Sequence, residues 1–123
     1  MRHESPEFLA IQFEEALVQI YRGRLFDLKL RHLVAFLICY LNDSRHTIDE
    51  LSAILRASKS GIARTVSHLE KAGLIRRGVD TNDRRMVNLY RTEAGLALLS
   101  ECKQIVVESV HNAAVRTRPR GPR

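Results

Sequence analysis

Two stretches of the 123-residue chain carry side chains suited to holding a polyanion. The first is "KSGIARTVSHLEKAG", residues 59 to 73. Wound as a helix at about 100° per residue, it turns Ile62, Val66 and Leu69 to one side and Ser60, Arg64, Ser67 and Lys71 to the other, flanked by Ala63 and His68. The outer face has short hydroxyls beside long cations and no large apolar residue, which suits a DNA major groove about 12 Å wide. Arg64 is the candidate base contact, because its planar fork can bridge O6 and N7 of guanine. Ser58, Lys59 and Ser60, at the helix start, suit phosphates. The second stretch is "GVDTNDRR", residues 78 to 85, a turn-forming run with Asp80, Asp83, Arg84 and Arg85. A guanidinium on a projecting tip can enter a narrow minor groove, where A·T tracts deepen the negative potential. Asp83 reads as a brace that holds a neighbouring arginine through a bidentate pair. The competing interpretation is a solvated helix face and a surface ion pair worth about 0 to 1 kcal/mol.

The distribution of charge favours the polyanion. Of the formal net charge of +6, residues 1 to 55 contribute −2, 56 to 91 contribute +6, 92 to 115 contribute −2 and 116 to 123 contribute +4. A cationic block in an otherwise mildly acidic chain is an electrostatic footprint of nucleic acid.

The elements that must position these residues are mostly helical. Ser5-Pro6-Glu7 starts a first helix that reaches about Tyr21. Its residues Leu9, Phe13, Ala16, Leu17 and Ile20 make one apolar stripe, with Phe8, Ile11 and Val18 on another side. A second helix is expected from Phe26 to Leu41, with Phe26, Leu30, Leu33, Val34, Leu37, Ile38 and Leu41 inward. Thr47 and Glu50 are spaced as a capping box and open a third, with Leu51, Ile54 and Leu55 inward. Ser58 caps the fourth and Gly73 ends it in the left-handed conformation, so the third and fourth make a helix-turn-helix. "LIRR", 74 to 77, and "MVNLY", 86 to 90, read as strands around the turn, with Val87 and Leu89 on one face. Thr92-Glu93 starts a last helix that runs to about Val115, again with more than one apolar stripe. The surplus apolar surface on the first and last helices calls for a partner. "RTRPRGPR", 116 to 123, is expected to be a disordered basic tail.

Other chemistries find little support. At this length one domain is expected, and 45% apolar with 28% charged residues are globular proportions. "LVAFLICYL" is about half the length of a bilayer span, and "MRHESPEF" lacks the plan of a secretion signal; a cytoplasmic protein with no membrane partner is expected. Cys39 and Cys102 lie inside apolar helical patterns, where packing outweighs redox sensing. His3, His32, His46, His68 and His111 show no metal-ligand spacing, and no nucleophile-base pairing or phosphate loop is present. No catalytic residue, metal site or cofactor is therefore assigned, and an enzyme is not expected.

"SKSGIARTVSHLEKAGLIRR", 58 to 77, and "DTNDRRMVNLYRTEAG", 80 to 95, resemble the recognition helix and the wing of the MarR-type winged-helix transcriptional regulators. The second run follows the family's D-x-x-D-R-R-x-V-x-[hydrophobic]-x-L-T-E-x-G pattern without a gap. The resemblance covers about 47 to 99 and implies an α+β, mostly α, winged helix-turn-helix with long N- and C-terminal dimerisation helices. In that scheme residues 1 to 115 form one domain, with 1–22 and 92–115 pairing in a homodimer and a DNA-binding core at 26–91 whose wing spans 74–91. The partner is a pseudo-palindromic double-stranded operator, read by the recognition helix in the major groove and by the wing arginine, Arg85, in the minor groove, with Asp83 as the bracing acid. A small-molecule effector is also implied. Arg91 stands where the family has Leu, as a phosphate contact or an exposed side chain. Arg56 stands where the helix-turn-helix often has glycine; a left-handed arginine costs about 1 to 2 kcal/mol, so a different turn is expected. The alternatives are a winged-helix protein–protein module and a nucleoid-type or plasmid-type protein of low sequence specificity. The charge on the fourth helix and wing separates the module from the DNA binders.

Overall fold

The computed structural model describes residues 5–43, 46–79, 81–83 and 85–118, the side chains of Arg24 and Phe26 excepted. In chain order it comprises α1 (Pro6–Arg22), a 3-10 turn (Arg24–Asp27), α2 (Leu30–Leu41), β1 (His46–Thr47), α3 (Ile48–Leu55), α4 (Lys59–Lys71), β2 (Ile75–Val79), β3 (Val87–Arg91) and α5 (Glu93–Arg116). The three strands form one antiparallel sheet in the order β1-β3-β2. This is the expected α+β, mostly helical winged helix-turn-helix. The chain divides into two compact units, Leu28–Leu99 and the two chain ends, Met1–Asp27 with Ser100–Arg123. No described helix is long and apolar enough to cross a membrane.

In the Leu28–Leu99 unit, α4 buries Ile62, Val66 and Leu69 as its periodicity predicts. Each such side chain contributes about 1.5 to 3 kcal/mol on leaving water. The rotation of α2 differs from expectation. Its buried face is His32, Ala35, Phe36, Cys39 and Tyr40, while Leu30 and Leu41 are 75% and 58% exposed. "LVAFLICYL" is apolar on all sides, so periodicity alone cannot choose the inward stripe. Polar anchors choose it: the Tyr40 hydroxyl donates to the Leu74 carbonyl at 2.6 Å and accepts from the Thr92 amide at 2.9 Å. In α3, Leu51 is fully buried but Ile54 points out.

The caps follow the sequence more closely. Thr47 Oγ1 accepts from the Glu50 amide at 3.1 Å, but the Glu50 carboxylate turns to His46 Nδ1, 3.9 Å away, so only half of the capping box forms. Ser58 Oγ accepts from the Gly61 amide at 3.0 Å to start α4, and Gly73, φ 77°, follows its end. Arg56 takes φ 52° and ψ 46° at the C-cap of α3. The turn therefore does not differ: arginine occupies the left-handed position itself, the one non-glycine residue with positive φ among those described. Thr92 joins β3 to α5, its Oγ1 accepting from the Gly95 amide at 3.0 Å and donating to the Gly73 carbonyl at 2.6 Å.

β2 extends past the predicted "LIRR" to Val79, pairing Ile75 with Arg91 and Val79 with Val87. β1, which pairs His46 with Leu89 and Thr47 with Asn88, is a two-residue strand absent from the sequence expectation. A run that short has no periodicity to detect.

In the unit of the chain ends, Ser5 caps α1 by accepting from the Phe8 amide at 3.2 Å, with Pro6 at the first helical position. Phe8 is buried, whereas Leu9, Phe13 and Leu17 from the predicted stripe are exposed, Phe13 by 66%. On α5, Ser109 and Ala113 are buried, while Val106, Val107 and Val115 face outward. Arg116 belongs to α5 rather than to a tail; its Nη1 pairs with Glu14 and, at 2.6 Å, with Glu15. Residues 119 to 123 of the expected tail lie outside the described residues.

Candidate nucleic-acid interface

The burial of Ile62, Val66 and Leu69 fixes the rotation of α4, and with it what the helix offers to solvent. Ser58, Lys59, Ser60, Arg64, His68 and Lys71 are exposed and Ser67 is half-buried. Thr65, between the two faces, is buried with its hydroxyl donating to the Gly61 carbonyl at 3.1 Å. The helix start carries the hydroxyls of Ser58 and Ser60 3.3 Å apart. Lys59 Nζ rests 3.3 Å from Asp49 Oδ1, an exposed pair that an incoming phosphate would have to part. His68 is less free than its position on the wheel implies, since its ring stacks on that of His32 from α2, centroids 4.0 Å apart and planes within 7°.

The hairpin of β2 and β3 carries the second cationic element. Asp83 Oδ1 accepts from both the amide of Arg85 at 3.0 Å and its Nε at 3.2 Å. One carboxylate oxygen thus holds the backbone and guanidinium of Arg85 together. The Arg85 side chain remains 92% exposed. Arg84 and Asp80, also singled out from the sequence, lie outside the described residues.

The wing is tied to α4 by a charge pair that sequence inspection missed. Arg77 of β2 donates its amide and Nε to Glu70, at 3.2 and 3.1 Å. Those bonds, led by the backbone one, hold the Glu70 carboxyl below its ordinary range. Arg76 lies 4.6 Å over the Tyr90 ring, and the same ring leaves no room for a side chain at Gly78, where a Cβ would meet Tyr90 Cε2 at 2.7 Å. Arg91 is exposed, as one of the two expectations had it, but it is also tied into the fold. Its Nε and Nη2 donate to the carbonyls of Cys39 at 3.1 Å and Asn42 at 2.8 Å, closing the C-terminal end of α2, where a cation also meets the negative end of the helix dipole.

The cysteines are packing residues. Burial pushes the Cys39 thiol up to about 11 against the opposing pull of Arg91, and burial also raises Cys102. Neither is the low-pKa thiolate that redox sensing needs. Among the described residues, no group of three or more His, Cys, Asp or Glu gathers to hold a metal ion.

A helix-turn-helix with an outward cationic second helix, tied to a two-stranded wing, defines a winged helix-turn-helix protein. Residues 26 to 86 match the sequence model of the MarR family, and the chain belongs to that family. No curated protein matches the chain. Among solved structures, MarR is similar at 26% identity and TM-score 0.66, over 90% of this chain and 80% of that one. FabT of Streptococcus pneumoniae in complex with DNA is similar in fold at 18% identity and TM-score 0.66, over 90% of this chain and 75% of that one. A mutant MarR from E. coli complexed with operator DNA is similar in fold at 20% identity and TM-score 0.63, over 83% and 67%.

Proposed function

We propose that the chain is a sequence-specific, double-stranded DNA-binding transcriptional regulator that works as a homodimer on a pseudo-palindromic operator. Half-sites are spaced by about one helical turn, roughly 10 bp. α4 enters the major groove, where Arg64 reads a guanine, Ser67 and His68 line the contact, and Ser58, Lys59 and Ser60 hold phosphates. The wing arginines Arg84 and Arg85 serve the minor groove, with Asp83 bracing Arg85. The observation that carries this reading is that one compact unit presents two outward cationic features at once: the outer face of α4 and an Arg85 side chain anchored at its base yet 92% exposed. The solved relatives in complex with DNA support it by fold. The exposed Leu9, Phe13, Leu17, Val106, Val107 and Val115 support pairing of two chains through the unit of chain ends. Control by a small-molecule effector belongs to the same proposal.

Binding measured against salt tests it. Log K should fall with log[salt] by about 0.9 for each phosphate neutralised. Arg64→Ala should relax preference at one base position, at a cost of about 1 to 3 kcal/mol for the correct base. Arg85→Ala should weaken binding mainly where A·T pairs flank the site. If both variants bind selected duplexes as the parent does, the site assignment is wrong.

A further inference from the structure

Where α2 begins beside α4 there is a cleft of about 240 Å³ lined by Lys29, Arg31, His32, Gly61, Arg64, Thr65 and His68. Its charged and titratable groups come from both packed elements: Lys29, Arg31 and His32 from the start of α2, Arg64 and His68 from α4. No carboxylate is among them. Three further features make it more than a basic patch. Lys29, the N-cap of α2, gives that 12-residue helix no side-chain cap; its carbonyl accepts from the amides of His32 and Leu33, both at 3.0 Å, and no side-chain acceptor offsets the positive end of the helix. His32 is only 6% exposed, and its Nδ1 has no hydrogen-bond partner. His68 lies parallel to His32 with ring centroids 4.0 Å apart and covers one face of the buried imidazole.

We propose that this cleft is an oxyanion seat: the start of α2, Lys29 and Arg31 hold one phosphate-type anion while His32 takes up a proton. Burial and then His68, Arg31 and Lys29 all oppose a charge on His32. An anion reverses the sign of that field. It screens the fixed cations from the imidazoles and accepts a hydrogen bond from the protonated ring. Anion and proton therefore bind cooperatively, each raising the affinity for the other by the same factor. The same chemistry is offered by a DNA backbone phosphate and by a free oxyanion. In the first case the inference deepens the DNA-binding proposal; in the second it stands apart from it.

Sulfate is the probe, because it stays doubly charged through the range in which imidazole titrates. The full chain is titrated at constant ionic strength and the histidine ring resonances are followed by NMR. The His32 and His68 signals should move together and saturate while those of His46 and His111 stay in place. Affinity should rise as pH falls, by up to about tenfold per pH unit for one coupled proton. His32 is buried and its replacement risks the fold, so the variant is Lys29→Gln with Arg31→Gln, two exposed positions, which should weaken sulfate by about tenfold or more. Non-saturating shifts, equal shifts at all histidines, an affinity independent of pH, or an unchanged affinity in the double variant each overturn the seat. A duplex selected from random sequence then separates the two sources: displacement of sulfate assigns the seat to a DNA phosphate, and simultaneous binding assigns it to a free oxyanion. A chain that binds the duplex but not sulfate loses the seat and keeps the DNA reading; one that binds sulfate but no duplex does the reverse.

Discussion

Replacing Gly95 by alanine sets two effects of opposite sign against each other at the join between wing and α5. Helix propensity alone favours alanine by up to about 1 kcal/mol. Space does not: a Cβ on Gly95 would lie 1.7 Å from the Tyr40 hydroxyl oxygen, 2.4 Å from Tyr40 Cζ and 2.7 Å from the Leu74 carbonyl oxygen. The ring cannot retreat without giving up the Leu74 carbonyl and the Thr92 amide, which it bonds at 2.6 and 2.9 Å. Leaving buried partners unpaired costs about 1 to 3 kcal/mol, and forcing extra volume into a packed site adds about 1 to 3. Set against the propensity gain, a net loss of about 3 kcal/mol is expected, a large share of a typical stability of about 5 to 15. At this chain length that lowers the melting temperature by about 12 °C. Thermal and urea unfolding followed by circular dichroism would measure it. Tyr40→Phe removes the hydroxyl, so in the double variant the two losses should sum to less than their separate values. A Gly95→Ala protein that melts at or above the parent, or strictly additive losses, would refute the reasoning, since either means that the hydroxyl is not what excludes the methyl group.

Two further outcomes follow from strain and charge. Arg56→Gly relieves a left-handed arginine of about 1 kcal/mol, less what glycine adds to the freedom of the unfolded chain; the urea midpoint should rise with an unchanged slope, and a lower midpoint would show that the Arg56 side chain contributes more than its backbone costs. Glu70→Gln addresses acid stability. The Glu70 carboxyl is held below its unfolded value of about 4.3, chiefly by the Arg77 amide, so its contribution is present above that value and is lost as pH falls through the lower, folded one. The variant should therefore lose stability less steeply than the parent on acidification, and parallel acid limbs in urea unfolding would remove Glu70 from the account.

What could be read in the sequence depended on contrast between the faces of an element. α4 has Ile62, Val66 and Leu69 on one side and only hydroxyls and charges on the other, so a single rotation satisfies it, and the outer face followed directly from the pattern. α2 has no polar face along "LVAFLICYL". Its rotation is decided by the Tyr40 hydroxyl and by Arg91 reaching the carbonyls of Cys39 and Asn42, partners 34 to 52 residues away in the chain. No local pattern encodes such partners, and the same limit explains why the carbonyl partners of Arg91 were not foreseen. The turn at Arg56 failed for a different reason. A cost of about 1 to 2 kcal/mol is small beside the burial of Leu51, Ile62, Val66 and Leu69 that this turn makes geometrically consistent, so tertiary packing overrides a local preference that would prevail in a peptide. The Asp83–Arg85 brace was legible because it closes over two residues. The cleft between the start of α2 and α4 was not, because Lys29, His32, Arg64 and His68 meet only after the two helices have packed, and a cationic side chain acquires a specific partner only when the fold has fixed which other charges it must face.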